Sequence, residues 1–338
     1  MISGCEITMN VNTKKKCKRS SYWTFEDGFE KFMNYCRIKN LRPKTLEYYQ
    51  DNFHCFYEFI KSRTIYETIN ELTQADVNDY TLYLKDKGMR ETSVNTYLRG
   101  FRALLYFWIE QKQCENMKVH IHKADKQVKE TYTDAELFRL LRKPDITTCD
   151  FLTYRNWVIV NFFLATGVRV STLINIKIQD IDFEMDRILL THTKNRKSML
   201  IPMSKQLKKT LQEYLYFRKG DQWDYFFCSQ LGLRMTTDSV KHAITKYNKS
   251  RGVERCGLHA FRHTFAKRCV MNGVNVFVLQ KLMGHSDLSI TQEYVDLYAD
   301  DLAIGIDDYN PLDTFGRQKI PAEKKKPAQI RKKITMQG

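Results

Sequence analysis

The stretch LHAFRHTFAKR, residues 258–268, holds two histidines four apart, His259 and His263, with Arg262 between them. On a helix that spacing is one way to hold a zinc ion. A zinc-protease helix, however, reads HExxH, with the Glu as general base, and here Ala260 stands in its place. Arg262 lies three residues from His259, so on nearly the same face, where a guanidinium would repel a dication. A histidine and an arginine on one face are both donors, and donors suit an anion, phosphate first. The stretch is expected to hold no metal, and the chain to need no cofactor.

Three other stretches carry groups of the same kind. ATGVRVSTLINI places Arg169 just after Gly167 at a helix junction, and THTKNRKSMLIP places Lys194 on a polar turn between two β-prone runs. LMGHSDLSITQEYVD carries His285 and, nine residues on, Tyr294. Singly each has an ordinary account: a surface arginine, a hairpin lysine, a helix cap and a packed tyrosine.

In order and spacing, R…K…HxxR…GH-x8-Y resembles the tyrosine recombinase family of the lambda-integrase type. In that family the first arginine follows Thr-Gly, as Arg169 follows Thr166 and Gly167, and the lysine stands eight residues before a proline, as Lys194 does before Pro202. His259 and Arg262 precede HTFA, and Leu282, Gly284 and His285 lead to Tyr294 in the family's manner. Upstream, RPKTLEYY and TSVNTYLRGFRALLYFW resemble the family's core-binding domain, so the likeness runs from about Phe25 to Asp296. The family has a carboxylate three residues after the first arginine; this chain has Thr172, which removes a supporting group from beside Arg169.

The resemblance implies a site-specific DNA recombinase with catalytic residues Arg169, Lys194, His259, Arg262, His285 and Tyr294. Arg169 and Arg262 would clamp the non-bridging oxygens of a phosphodiester and stabilise the charge of its pentavalent transition state. Tyr294 would attack in line and displace the 5′-hydroxyl, leaving a 3′-phosphotyrosine. A phenol with a pKa of about 10 is protonated at neutral pH, so it needs a base, and His259 is expected to be that base. Lys194 would protonate the leaving oxygen and His285 would hydrogen-bond the phosphate. His263 is read as a packing or hydrogen-bonding histidine that points elsewhere on the helix. Tyr298, one turn past Tyr294, and Tyr309 are competing nucleophiles by position. A DNA-binding protein without catalysis, and a type IB topoisomerase or telomere resolvase, are the alternative readings.

Elements must bring these scattered groups together. The fold class expected is mainly α with a small antiparallel β-sheet, and the organisation is a basic N-terminus at 1–21, a helical core-binding domain at 22–117, a linker at 118–131, a catalytic domain at 132–311 and a basic tail at 312–338. In the first domain Thr24 caps a helix whose Phe25, Phe29, Phe32, Met33 and Cys36 share a face. Pro43 opens a second helix, Gly88 closes a third, and Leu98, Phe101, Arg102, Leu105 and Trp108 line a fourth. The pair His120 and His122 is a weak metal signal, better read as a solvated extended segment. Thr133 and Glu136 have capping-box spacing and open the second domain. Residues 174–204 supply the sheet, with Ile176 and Ile178 alternating with polar residues ahead of RILLTHT and SMLIPM.

The balance of 55 Lys and Arg against 39 Asp and Glu, a formal charge of +16, suits a polyanionic partner. Double-stranded DNA is expected, held by the two domains as a clamp. Nine cysteines without CxxC spacing read as free thiols in a reducing compartment. The longest apolar run, WVIVNFFLATGV, is too short to span a bilayer, so no membrane partner is expected and a cytoplasmic location is. The short N-terminus suits the compact, Xer-like kind of recombinase. Two cuts on each of two duplexes imply a homotetramer on paired sites, with Leu297, Leu302, Ile304 and Ile306 supplying a terminal docking segment.

Overall fold

The computed structural model describes residues 22–63, 65–123, 129–191 and 197–298. Lys194, Tyr309, residues 1–21, most of the terminal docking segment and the basic tail lie outside the described residues. The chain forms two compact units that meet in sequence between Gln127 and Val128.

The first unit is built from four helices, α1 (Phe25–Ile38), α2 (Pro43–Arg63), α3 (Gln74–Asp86) and α4 (Glu91–Glu110). Their starts are chemically marked. The Thr24 hydroxyl accepts from the Asp27 amide at 3.1 Å, and Thr73 and Asp76 form a reciprocal capping box. Phe25, Phe32, Met33 and Cys36 of α1 are buried, while Phe29 is half-buried and stacks on Phe53 at 4.0 Å. The core is aromatic: Phe56 stacks on Phe101 at 4.2 Å, and Tyr80 and Trp108 are fully buried beside them. Each such ring contributes about 1.5–3 kcal/mol by leaving water. Gly28 lets α1 approach α4, since a Cβ there would come within 2.8 Å of the Trp108 indole nitrogen. His122 is tied through its backbone to the Asn95 amide, at 2.9 and 3.0 Å.

The second unit centres on α6 (Phe151–Thr166). The apolar run seen in the sequence lies here, and the helix is buried on every face over Tyr154–Val160, which explains why its sequence shows no polar face. Around it pack α5 (Asp134–Leu141), opened by the Thr133–Glu136 capping box, α8 (Lys205–Arg218), α9 (Thr237–Ser250) and α10 (Leu258–Met271). A four-residue helix, α7 (Val170–Leu173), follows α6. The sheet is antiparallel in the order β1 (Ile181–Asp182), β2 (Arg187–Leu190), β3 (Met199–Pro202). Ile188 pairs with Ile201, and both are buried, as is Leu190. α11 (Val276–Met283) and α12 (Leu288–Tyr298) complete the unit and pack on each other and on α10.

The alternation at Ile176 and Ile178 does not make a strand as expected. The Asp180 carboxylate accepts from the Lys177 amide at 2.8 Å and closes residues Ile178–Asp180 into a 3-10 turn. A short polar side chain has outcompeted the ladder for a backbone donor. The strand begins one residue later, at Ile181. No helix among the described residues is long and apolar enough to cross a membrane.

Candidate active site

Two chain reversals place the guanidinium groups. α6 ends at Gly167, whose φ of 61° is left-handed, as a helix C-terminal glycine requires. A Cβ at Gly167 would also meet the Phe265 ring at 2.3 Å, so glycine is needed both for the turn and for the approach of α10. α11 ends the same way at Gly284, with φ of 60°. Each glycine turn exposes a carbonyl, and Arg262 takes both: its Nη1 donates to Gly167 O at 2.6 Å and its Nη2 to Met283 O at 2.7 Å. The side chain is 5 % exposed. A buried guanidinium held at two points has its direction fixed before any substrate arrives.

The same Nη2 lies 2.8 Å from His285 Nε2. Arginine has only donors, so Nε2 accepts, and the ring hydrogen sits on Nδ1, which donates to Thr291 Oγ1 at 2.8 Å. His285 is thus a neutral imidazole: burial first, then Arg262, Arg169 and Lys129, push its pKa down to about 4. In this state its Nε2 serves Arg262, where the sequence reading gave it to the phosphate. Thr291, fully buried, fixes the tautomer and was not anticipated.

Arg169 precedes α7, and its guanidinium makes no hydrogen bond among the described residues. It lines, with Arg262 and His285, a cavity of about 560 Å³ whose other charged walls are Lys197 and Lys281. No acidic residue is among the described residues lining it. Thr172, where a carboxylate was missed in the sequence, is buried on its wall and brings no counter-charge. Such a cavity focuses positive potential and suits one anion.

Tyr294 of α12 is 3 % exposed, and its ring lies parallel to that of His285 at 6.4 Å. Its hydroxyl is 2.8 Å from Nδ1 of His263. His263, read from the sequence as a packing or hydrogen-bonding histidine that points elsewhere, is hydrogen-bonded but faces the phenol, while His259 is exposed and its ring stands 6.4 Å from that of His263. The His259 pKa is lowered by the protein around it and then by Arg262 and Arg169. The signal for His263 was present, since it repeats the face of His259 one turn on. Lys129 was not foreseen either. Its ammonium sits 4.0 Å over the Tyr294 ring and pairs with Glu293 at 2.7 Å. Burial raises the Tyr294 pKa, the two guanidiniums opposing it. The competing Tyr298 instead points its hydroxyl at the Lys129 carbonyl, 3.4 Å away. The structure thus brings together Arg169, Arg262, His285 and Tyr294, sets His259 beside them, and gives no account of Lys194.

Comparison with known proteins agrees in sequence and in shape. Residues 130–300 match the model of the phage integrase family, and residues 29–116 match that of the phage integrase N-terminal SAM-like domain. Tyrosine recombinase XerC of Bacillus pumilus is 30% identical over 284 residues, spanning 80% of this chain and 92% of the relative. Tyrosine recombinase XerD of Oceanobacillus iheyensis is 26% identical, over 80% and 93%. Among solved structures, the Tn1549 transposon integrase in complex with transposon right end DNA superposes with a TM-score of 0.65 at 22% identity, covering 80% of this chain and 94% of that one. A lambda integrase dimer bound to a core site gives 0.61 at 16%, over 79% and 97%.

Proposed function

The chain belongs to the phage integrase family, and we propose that Arg169, Arg262 and Tyr294 are the groups with which it cleaves and rejoins DNA. It is a tyrosine recombinase, an enzyme that breaks and reseals DNA strands at specific sites. The observation that carries the assignment of residues is one cavity lined by two guanidiniums and His285, with the buried Tyr294 ring stacked parallel to His285.

A scissile phosphate of double-stranded DNA enters that cavity. Arg169, with its donors uncommitted among the described residues, and Arg262 hold the two non-bridging oxygens. Tyr294 Oη loses its proton and bonds to phosphorus, the bond to the 5′-oxygen breaks, and that oxygen takes a proton. Lys194 is proposed as the donor of that proton. His259, at the exposed end of α10 beside the guanidiniums, and His285 complete the hydrogen bonding around the phosphate: the anion competes with His285 Nε2 for the Arg262 donors, and His285 bonds it by taking a proton on Nε2. The 3′-phosphotyrosine preserves the phosphodiester's energy, so a 5′-hydroxyl from a partner strand reverses the step without ATP. Exchange between two duplexes needs four protomers, and we place the active form as a homotetramer on paired sites, in the cytoplasm.

A nicked duplex carrying the recombination site traps the intermediate, because the short 5′ end diffuses away. Wild-type protein is expected to give a covalent protein–DNA complex on its own site alone. A complex formed on any duplex would indicate a topoisomerase, and none on any sequence would indicate a binding protein.

A further inference from the structure

We propose that His263 receives the Tyr294 proton when the phenol attacks phosphorus, and so is a catalytic residue of this recombinase; the proposal rests on Tyr294 being the nucleophile. The first argument is contact. The phenol oxygen and His263 Nδ1 are 2.8 Å apart, a distance over which a proton moves without rearrangement. His259 has no such contact among the described residues. The second is geometry. His263 projects from α10 toward α12, the helix that carries the nucleophile, and the two rings sit 5.8 Å apart at 41°. The third is protonation state. A base must hold a free lone pair, and the His263 pKa is pushed down to about 4 by burial, then by Lys129, His259 and Arg262. At neutral pH the ring is uncharged.

A base so suppressed is weak at rest, and the surroundings say what would strengthen it. Along α10, Arg262 and His259 face the ring, and across the cavity stand Arg169 and His285. Beside α12 the Lys129 ammonium is answered by Glu293. The excess is positive, so an incoming phosphodiester anion offsets it and raises the proton affinity of His263. Tyr294 thus gains an effective base only when the phosphate is in place. The balance is closed: the proton leaves Oη for Nδ1, Oη joins phosphorus, and the 5′-oxygen departs with a proton from the acid on its own side. In the reverse attack, imidazolium returns the proton to the leaving phenol. The step requires the neutral tautomer with hydrogen on Nε2.

The test uses the full chain and a nicked duplex bearing the site mapped by covalent trapping. Wild type must form the adduct and Tyr294→Phe must not; failure there removes the reading of Tyr294, and with it the premise. Given that, His263→Asn keeps a polar atom near the Nδ1 position but accepts no proton. Its adduct rate should fall by about 10²–10⁴ with DNA binding unchanged. The residual rate should climb with pH as hydroxide replaces the lost base. Added imidazole should speed His263→Ala at least several-fold. Replacing the bridging 5′-oxygen by sulfur, which needs no proton to leave, should rescue Lys194→Ala but neither His263 variant. A His263→Asn protein that folds normally and cleaves within threefold of wild type would overturn the proposal, as would rescue of His263→Asn by the sulfur substrate. On unaltered protein, nitrogen NMR of labelled histidine should find hydrogen on Nε2 of His263; hydrogen on Nδ1 would also overturn it.

Discussion

Arg262 and Tyr294 serve the same site, yet one is held by two carbonyls from separate glycine turns and the other by a single imidazole. The difference extends to their supports. Ala260 and Phe261, beside Arg262, belong to the main core of the catalytic unit, which also holds most of α6 and the sheet. Tyr294 belongs to a separate, small cluster with Ala266, Leu279 and Met283. Charge stabilisation depends on donors that do not reorganise, which explains the rigid half. The proposed nucleophile must reach phosphorus, and its hydroxyl sits on the more thinly packed helix, the half with room to adjust.

The largest break in this comparison is Tyr294→Phe. Losing only the hydroxyl, the variant should keep its fold and its affinity for DNA, measured by gel shift, and form no covalent adduct. Next come the guanidiniums. Arg169→Ala and Arg262→Ala should each slow cleavage by about 10²–10³. They should differ in stability. Arg262→Ala strands the Gly167 and Met283 carbonyls, at about 1–3 kcal/mol for each buried unpaired group, whereas Arg169→Ala leaves no described partner behind. Thermal melting of the two variants separates them, and equal losses of stability would erase the distinction between a fixed and an available guanidinium.

How much of this division could be read beforehand depends on the kind of signal. Gly167 and Arg169, His259 and Arg262, and Gly284 and His285 are short-range pairs whose spacing and turn chemistry show in the sequence. The contacts that organise Tyr294 span long separations. Lys129 meets Glu293 across 164 positions, and His263 meets Tyr294 across 31. Helical periodicity says that His263 shares a face with His259, but not that α12 lies against that face. Cap residues at Thr24 and Thr133 placed helix starts well. At Ile178 the alternation misled, because Asp180 claimed a backbone amide that the pattern assigned to a strand.

Smaller effects sharpen the comparison further. His263 and His285 both titrate near pH 4 in the folded chain, below the ordinary 6.5. Between about pH 6.5 and 4 the unfolded chain therefore binds more protons than the folded one. Stability should fall as pH drops through that window and level off below it. Denaturant melts of His285→Asn and His263→Asn should show the slope reduced. Amide exchange should be faster in α12 than in α6, since α12 rests on the smaller cluster; equal protection would speak against the looser hold on Tyr294. DNA affinity should fall with salt at a log–log slope of about −0.9 per phosphate neutralised. Smallest of all, EDTA should leave the cleavage rate unchanged, as the guanidiniums supply the positive charge.

The most direct measurement is to identify the residue joined to DNA. The adduct trapped on a nicked duplex is digested with nuclease and trypsin, and the peptide beginning at Leu282 is fragmented in a mass spectrometer. The nucleotide should sit on Tyr294. A nucleotide on Tyr298 or Tyr309 would contradict the site described, and with it the pairing of that phenol with His263.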